Sequence, residues 1–277
     1  MSYVTKAVIP AAGLGKRLVP LTSHTPKELL PIGGKPIIQH SLEMLMAAGI
    51  SEFCIITSPE KPQLHDFVTG TWKPHAFPFE RDTIFYNRLK QCRIVFLEQS
   101  APRGVADAVR LAEDFVGNEP FVCIMPDCLL FSDKSHAQQL LPVFETYEKN
   151  VIGTVLIRGA DVKRFGNVGL LSAQRLSHEC FLITSLSDKD STPLSARPGE
   201  TIHKGFGGGI YLPEYFGLIE RTGPNARGEL DDVPIHKILI EQRKLLGVLL
   251  EGEAFDAGHP LGLRAAAHYV GRRIYDS

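Results

Sequence analysis

The stretch from Lys6 to Pro31 constrains the chain more than any other. It reads Lys6-Ala7-Val8-Ile9-Pro10, then Ala11-Ala12-Gly13-Leu14-Gly15, then two cations, Lys16 and Arg17. Another cation, Lys27, follows within Pro26-Lys27-Glu28-Leu29-Leu30-Pro31. Lys6 to Pro10 is a short apolar run of the kind a buried strand carries. A strand that ends in a glycine-rich, cation-bearing loop suits phosphate, because glycines let backbone N–H groups converge on an anion and cations offset its charge. Two familiar phosphate loops are excluded. A P-loop requires Gly-Lys followed by Ser or Thr; here Gly34-Lys35 is followed by Pro36, and the first glycine is missing. A dinucleotide fingerprint requires a third glycine. The corresponding position after Gly13 and Gly15 is Leu18, and Pro20 interrupts the helix that should follow. Gly13-x-Gly15 alone is equally consistent with a plain glycine turn flanked by solvated basic residues.

The chain has 277 residues, 44% hydrophobic and 22% charged, which fits one large soluble α/β domain, alone or with a small appendage. Its net charge of −1 offers no electrostatic case for nucleic acid or an anionic membrane. No apolar run reaches transmembrane length. Met1 to Lys6 lacks the apolar core of a signal peptide, so a cytoplasmic protein with no nucleic-acid or membrane partner is expected. Five cysteines, Cys54, Cys92, Cys123, Cys128 and Cys180, form no CxxC pair, which predicts reduced, partly buried thiols. The ten histidines show no zinc spacing.

Along the chain, Pro36 to Gly49 reads as a helix punctuated by proline and glycine, and Glu52 to Thr57 as a second buried strand. Strand, helix, strand suggests parallel pairing. Residues 58–92 predict one helix near Pro62 to Thr69 and then a loop excursion. A strand is expected at Arg93 to Leu97, a helix at Arg103 to Val116 and a strand at Pro120 to Met125. Asp127 then falls at that strand's carboxyl end, where ligands of open α/β sheets bind. Ser135 to Lys149 is amphipathic, and Val151 to Arg158 is a fifth strand. From about residue 159, glycines interleave with short strand-like pieces, Val168–Leu171, Phe181–Leu186 and Gly209–Leu212, the texture of a more antiparallel lobe. Ser187 to Glu200 is a polar loop. Helices at Pro213–Arg221 and Val233–Gln242 precede a strand at Leu245–Leu250, a turn at Phe255 to Gly258 and a closing helix from Leu261 to Arg273.

Gly-Leu-Gly-Lys-Arg at 13–17, with Pro-Lys-Glu-Leu-Leu-Pro-Ile-Gly-Gly-Lys-Pro at 26–36, resembles the signature of the nucleotide-sugar pyrophosphorylases, the sugar-1-phosphate nucleotidylyltransferases. The likeness is greatest to their bacterial branch that joins UTP to glucose-1-phosphate, and it extends from about Lys6 to Tyr269. The resemblance implies a Rossmann-like, mixed but mostly parallel sheet flanked by helices, with a smaller antiparallel sugar-binding lobe. It implies a single domain over 1–277, with a nucleotide-binding half to about 158 and a sugar-binding half from about 159. Because the chain stops soon after Asp256, no second activity is expected.

The resemblance also implies roles. Ala11, Ala12, Gly13 and Gly15 would contact base and phosphates through their backbones, Arg17 would clamp the phosphates, and Lys27 would stabilise charge at the reacting phosphorus. Gln99 would read the pyrimidine edge, since an amide offers a donor and an acceptor in one plane, and Gly104 would let the base lie close. Asp127, in Met125-Pro126-Asp127, and Asp256, in Phe255-Asp256-Ala257-Gly258, would share one Mg²⁺ with the triphosphate. Taken singly, Asp127 is equally a cap and Asp256 equally a turn residue. On the sugar side stand Gly166, Gly208, Glu229 and Asp188, with Lys189 on the sugar phosphate.

Several residues depart from the family pattern. Asp188-Lys189-Asp190 stands where the family has Glu-Lys-Pro, Lys16 where Thr is frequent, and Asp107 where His is frequent. The expected reaction joins an NTP, foremost UTP, to a sugar-1-phosphate, foremost glucose-1-phosphate, with release of pyrophosphate. A thymidylyl or other pyrimidine transferase acting on another sugar stays open. So does a catalytically weak relative that binds nucleotide sugars and regulates a partner. A homo-oligomer, dimer or tetramer, is expected.

Overall fold

Residues Lys6–Pro10 form the predicted strand, β1, which lies inside a sheet with hydrogen-bonded neighbours on both sides. The computed structural model describes residues 4–72, 82–159, 161–166, 169–188, 199–225 and 227–275. The remaining strands are β2 (Pro31–Ile32), β3 (Lys35–Pro36), β4 (Glu52–Thr57), β5 (Arg93–Glu98), β6 (Phe121–Ile124), β7 (Cys128–Phe131), β8 (Asn150–Arg158), β9 (Leu171–Arg175), β10 (Cys180–Leu186), β11 (Thr201–Tyr211), β12 (Leu245–Leu249) and β13 (Glu253–Asp256). The helices are α1 (Ile37–Ala47), α2 (Pro62–Thr69), α3 (Thr83–Leu89), α4 (Val105–Arg110), α5 (Glu113–Val116), α6 (His136–Tyr147), α7 (Glu214–Ile219), α8 (Asp232–Glu241) and α9 (Pro260–Tyr275).

One nine-stranded sheet runs β5-β4-β1-β6-β11-β8-β12-β10-β9. β5, β4, β1 and β6 are parallel. β11 enters antiparallel between β6 and β8, and β12, β10 and β9 complete the second half as a mixed, largely antiparallel extension of the same sheet. Both faces are covered, which is why the parallel strands read as continuous apolar runs. Alternate residues divide between the faces. Ala7 and Ile9 join Ile38, Leu42, Phe53 and Phe144 in one core. Val8 joins Cys54, Ala106, Phe121 and Tyr215 in the other.

A third cluster, with Leu18, Ile32, Leu129, Phe255 and Ala266, fastens a separate pair of strands, β7 and β13, beneath α9. The sequence predicts a plain turn at Phe255 to Gly258, and the β7–β13 pairing leaves no local signal there. Phe255 and Asp256 are instead strand residues with partners about 125 positions away, Leu129 and Cys128. The predicted 103–116 helix is two, α4 and α5, because tight three-residue bonds from Leu111 and Ala112 to Ala108 and Val109 close the first one. The 58–92 stretch holds a second helix, α3. It is too short to announce itself by propensity, and it is held by Phe85 stacked on Phe67 at 6.0 Å and by an Asp82 cap on the Phe85 amide at 2.9 Å.

β11 carries an irregularity between Gly205 and Gly209. Gly207 and Gly208 there have φ of 77° and 118°, and a Cβ at Gly208 would collide with the Cys123 carbonyl. The kink aims Gly207 O at the Met125 amide, 2.8 Å away, at the end of β6. All five cysteines are free thiols. No helix among the described residues is long and apolar enough to cross a membrane.

Candidate active site

β1 and β6 are adjacent and parallel, so the loops that follow them leave the sheet at the same edge. After β1, the Ala11 amide still bonds Ile56 O at 2.7 Å, and the chain then turns away from the sheet. Lys61, beside the first turn of α2, holds that turn. Its Nζ donates to Ala11 O and Gly13 O, each at 2.6 Å, and to Glu28 Oε2 at 2.9 Å. Lys61 is 5% exposed and Glu28 0%. Burial lowers the Lys61 pKa, and the Glu28 carboxylate opposes that shift. One buried ammonium thus ties the glycine loop to the Pro26–Pro31 segment. Gly15, at φ 67°, ends the loop, with Thr22 Oγ1 on its carbonyl at 2.9 Å. Lys16 and Arg17 follow in a single helical turn, both exposed.

After β6, Asp127 sits on a clamped backbone. Ser41 Oγ donates to Pro126 O at 3.0 Å, and the Ala257 amide to Asp127 O at 2.7 Å. Lys27 Nζ lies 2.5 Å from Asp127 Oδ2. Burial disfavours charge on both groups, yet each raises the other's ionised form. Asp127 and Glu28 leave Lys27 with a raised pKa, and Lys27 holds Asp127 below the usual carboxylate value.

Asp256 is the last residue of β13, and its register partner Cys128 is Asp127's neighbour. Its Oδ2 accepts from the Gly166 amide at 2.7 Å and its Oδ1 from the Gly258 amide at 3.1 Å, while Arg17 Nη1 stands 3.9 Å away. A Cβ at Gly166 would fall 2.8 Å from Arg17 Nη1 and 3.0 Å from Asp256 Oδ2, and one at Gly258 would overlap Asp127 Oδ2. Glycine at 166 and 258 is therefore what lets the two carboxylates and the guanidinium converge.

Arg17, Lys27, Asp127, Gly166, Gly208 and Asp256 all line one cavity of about 320 Å³. So does Lys204 on β11, 8% exposed, with Nζ 3.1 Å from Gly205 O. No motif or spacing in the sequence marks Lys204 or Lys61. Each is a lone lysine whose destination depends on long-range packing.

Gln99 and Gly104 meet at the carboxyl end of β5. Gln99 Nε2 donates to Gly104 O at 3.1 Å and to Asp107 Oδ2 at 2.8 Å. The donor half of its amide is therefore engaged within the protein. Gly104 has φ 104°, and a Cβ there would collide with the Leu230 backbone, so packing by itself requires glycine. Asp188 is exposed and pairs with Lys237 at 2.6 Å. The Glu229 amide donates to Asn225 Oδ1 at 3.1 Å. Neither Asp188 nor Glu229 lines the cavity. Lys189 and most of the Ser187–Glu200 loop lie outside the described residues.

A family model described as nucleotidyl transferase matches residues 6–230. The UTP–glucose-1-phosphate uridylyltransferase YngB of Bacillus subtilis is 30% identical over 273 residues, covering 97% of this chain and 90% of that one. UTP–glucose-1-phosphate uridylyltransferase 1 of Staphylococcus saprophyticus is 27% identical, covering 94% and 90%. Among solved structures, a UDP-glucose pyrophosphorylase complexed with UDP-glucose superposes with a TM-score of 0.81 at 22% identity, covering 99% of this chain and 100% of the other.

Proposed function

The chain belongs to the nucleotidyl transferase family, and we propose that it transfers a uridylyl group from UTP to a sugar-1-phosphate, with glucose-1-phosphate as the favoured acceptor. The observation that carries this reading is the convergence of Lys27, Arg17, Asp127 and Asp256 on one cavity. The names of the relatives support the choice of UTP and glucose-1-phosphate.

The reaction requires no covalent protein intermediate. A phosphate oxygen of the sugar-1-phosphate attacks the α-phosphorus of the nucleotide. The new P–O bond forms as the bond to the bridging oxygen breaks, and pyrophosphate leaves. Two anions must meet, so positioning and neutralisation carry the catalysis. The glycine loop, fixed through Ala11 and Gly13 by Lys61, would cradle the triphosphate. Arg17 would hold its outer phosphates, and Lys27 would face the α-phosphate. Lys204 and Lys189 would receive the sugar phosphate, with Gly166 and Gly208 at the sugar.

Asp127 and Asp256 fit one hard divalent cation, taken here as Mg²⁺. They are oxygen donors on adjoining strand ends, and a two-carboxylate set leaves the remaining positions to triphosphate and water, as Mg²⁺ prefers. When bound, the ion would stabilise phosphate charge. Lys27 would then exchange its bond to Asp127 for a phosphate oxygen. The free thiols suit the reducing cytoplasm.

Pyrophosphate release across a matrix of nucleoside triphosphates and sugar-1-phosphates tests this reading. UTP with glucose-1-phosphate should give the highest kcat/KM. Release only with purine nucleotides would overturn it.

A further inference from the structure

Gln99 is buried at the end of β5, and its nitrogen has two protein acceptors. A side-chain amide has two N–H groups and one carbonyl oxygen. Gly104 O is a backbone carbonyl and Asp107 Oδ2 a carboxylate oxygen, so neither can donate. The amide nitrogen must therefore be the group that faces them, and the flip ambiguity of a glutamine side chain is removed by chemistry. Oε1 is the hydrogen-bonding valence left over. Asp107 is itself held. Its Oδ1 takes Arg110 Nη2 at 3.0 Å and its Oδ2 lies 3.5 Å from Arg103 Nε, while the carboxylate side chain is only 3% exposed. A charged, buried acceptor fixed from two sides gives Gln99 one orientation.

We propose that Asp107 is a positioning residue that locks the Gln99 amide with its oxygen toward the nucleotide base, making the site select bases that carry an N3–H and reject cytosine. The inference rests on the reading above that Gln99 faces the base. Uracil and thymine present N3–H, which an amide oxygen accepts. Cytosine presents a bare N3, so its lone pair would meet the Gln99 oxygen and leave two buried acceptors facing each other. The lock does not separate uracil from thymine, which share that edge.

The test is the ratio of kcat/KM for UTP to that for CTP, at saturating sugar-1-phosphate. The wild-type protein should favour UTP strongly. In Asp107→Ala, Gln99 keeps the Gly104 bond but loses the charged one, so turning its NH₂ toward cytosine costs one bond instead of two, and the ratio should fall at least tenfold while the KM for sugar-1-phosphate stays within threefold. Asp107→Asn, whose amide oxygen can still accept from Gln99, should keep the ratio within threefold. If the wild type discriminates and Asp107→Ala keeps the ratio, the lock is refuted and the base reading stands. If the wild type uses CTP as well as UTP, the base reading fails and the lock with it. A measurement on the wild-type protein needs no variant to fold. The side-chain ¹⁵N–¹H₂ resonances of Gln99 should show both protons hydrogen-bonded before and after UTP is added, and reorientation of that amide on UTP binding would overturn the proposal.

Discussion

Lys27 and Asp127 are bound to each other at 2.5 Å, a cation and a carboxylate that both face the cavity and lie 100 residues apart in the chain. Each compensates a charge that would be expensive to bury alone. Triphosphate and metal, arriving together, would replace each partner with a stronger one. Lys27→Ala should therefore act where charge develops, lowering kcat about 100-fold, or about 2.7 kcal/mol, with the KM for sugar-1-phosphate within about threefold. Steady-state kinetics checks this, and an effect confined to KM would contradict the role given to Lys27.

The Asp256 oxygens accept from the Gly166 and Gly258 amides, and Arg17 Nη1 stands 3.9 Å away. Asp256→Asn keeps one acceptor and removes the charge. It should cut turnover strongly at saturating Mg²⁺ and raise the Mg²⁺ concentration needed, while Tm moves by no more than about 4 °C. Near-normal turnover in both Asp256→Asn and Asp127→Asn would remove the metal assignment.

The Lys61–Glu28 pair is a structural device with a functional readout. Lys61→Met leaves the buried Glu28 carboxylate uncompensated, which should cost about 3–5 kcal/mol in urea unfolding. The double variant Lys61→Met/Glu28→Leu should recover much of that stability. It should still bind nucleotide poorly, because the Ala11 and Gly13 carbonyls lose their donor. Recovery of both stability and nucleotide KM would show that the ammonium does not shape the loop.

His136 is buried behind the β11 kink, its Nε2 3.2 Å from Phe206 O. Burial lowers its pKa to about 4, against the opposing pull of that carbonyl. The folded protein thus takes up this proton less readily than the unfolded chain. Its contribution is complete above pH 6.5 and is lost as pH falls from 6.5 toward 4, on the order of 3 kcal/mol in all. His40 is shifted the same way, so some slope should persist without His136. Unfolding free energies across this range should show a shallower fall in His136→Gln than in the wild type; an unchanged slope would contradict the assignment.

The parts of the site that were legible in the sequence are local. The strand, the glycine turn, Arg17, Lys27 and the strand-end Asp127 are readable because periodicity and punctuation are short-range signals. Asp256 was legible only through family resemblance, since the β7–β13 pairing that sets it beside Asp127 spans about 125 positions. Lys61 and Lys204 carried no signal, because a lysine's destination is set by tertiary packing. Gln99 drew notice only through the family resemblance, which implies a base reader with one donor and one acceptor. Its commitment to Asp107 depends on a side-chain bond that spacing alone does not specify.

Following the α-phosphate is the decisive test of uridylyl transfer. The protein should be incubated with α-³²P-labelled UTP, glucose-1-phosphate and Mg²⁺. Label should appear in UDP-glucose, with one pyrophosphate released for each nucleotide sugar formed and none when the sugar-1-phosphate is omitted. Label that stays in UTP, with no pyrophosphate released, would contradict uridylyl transfer.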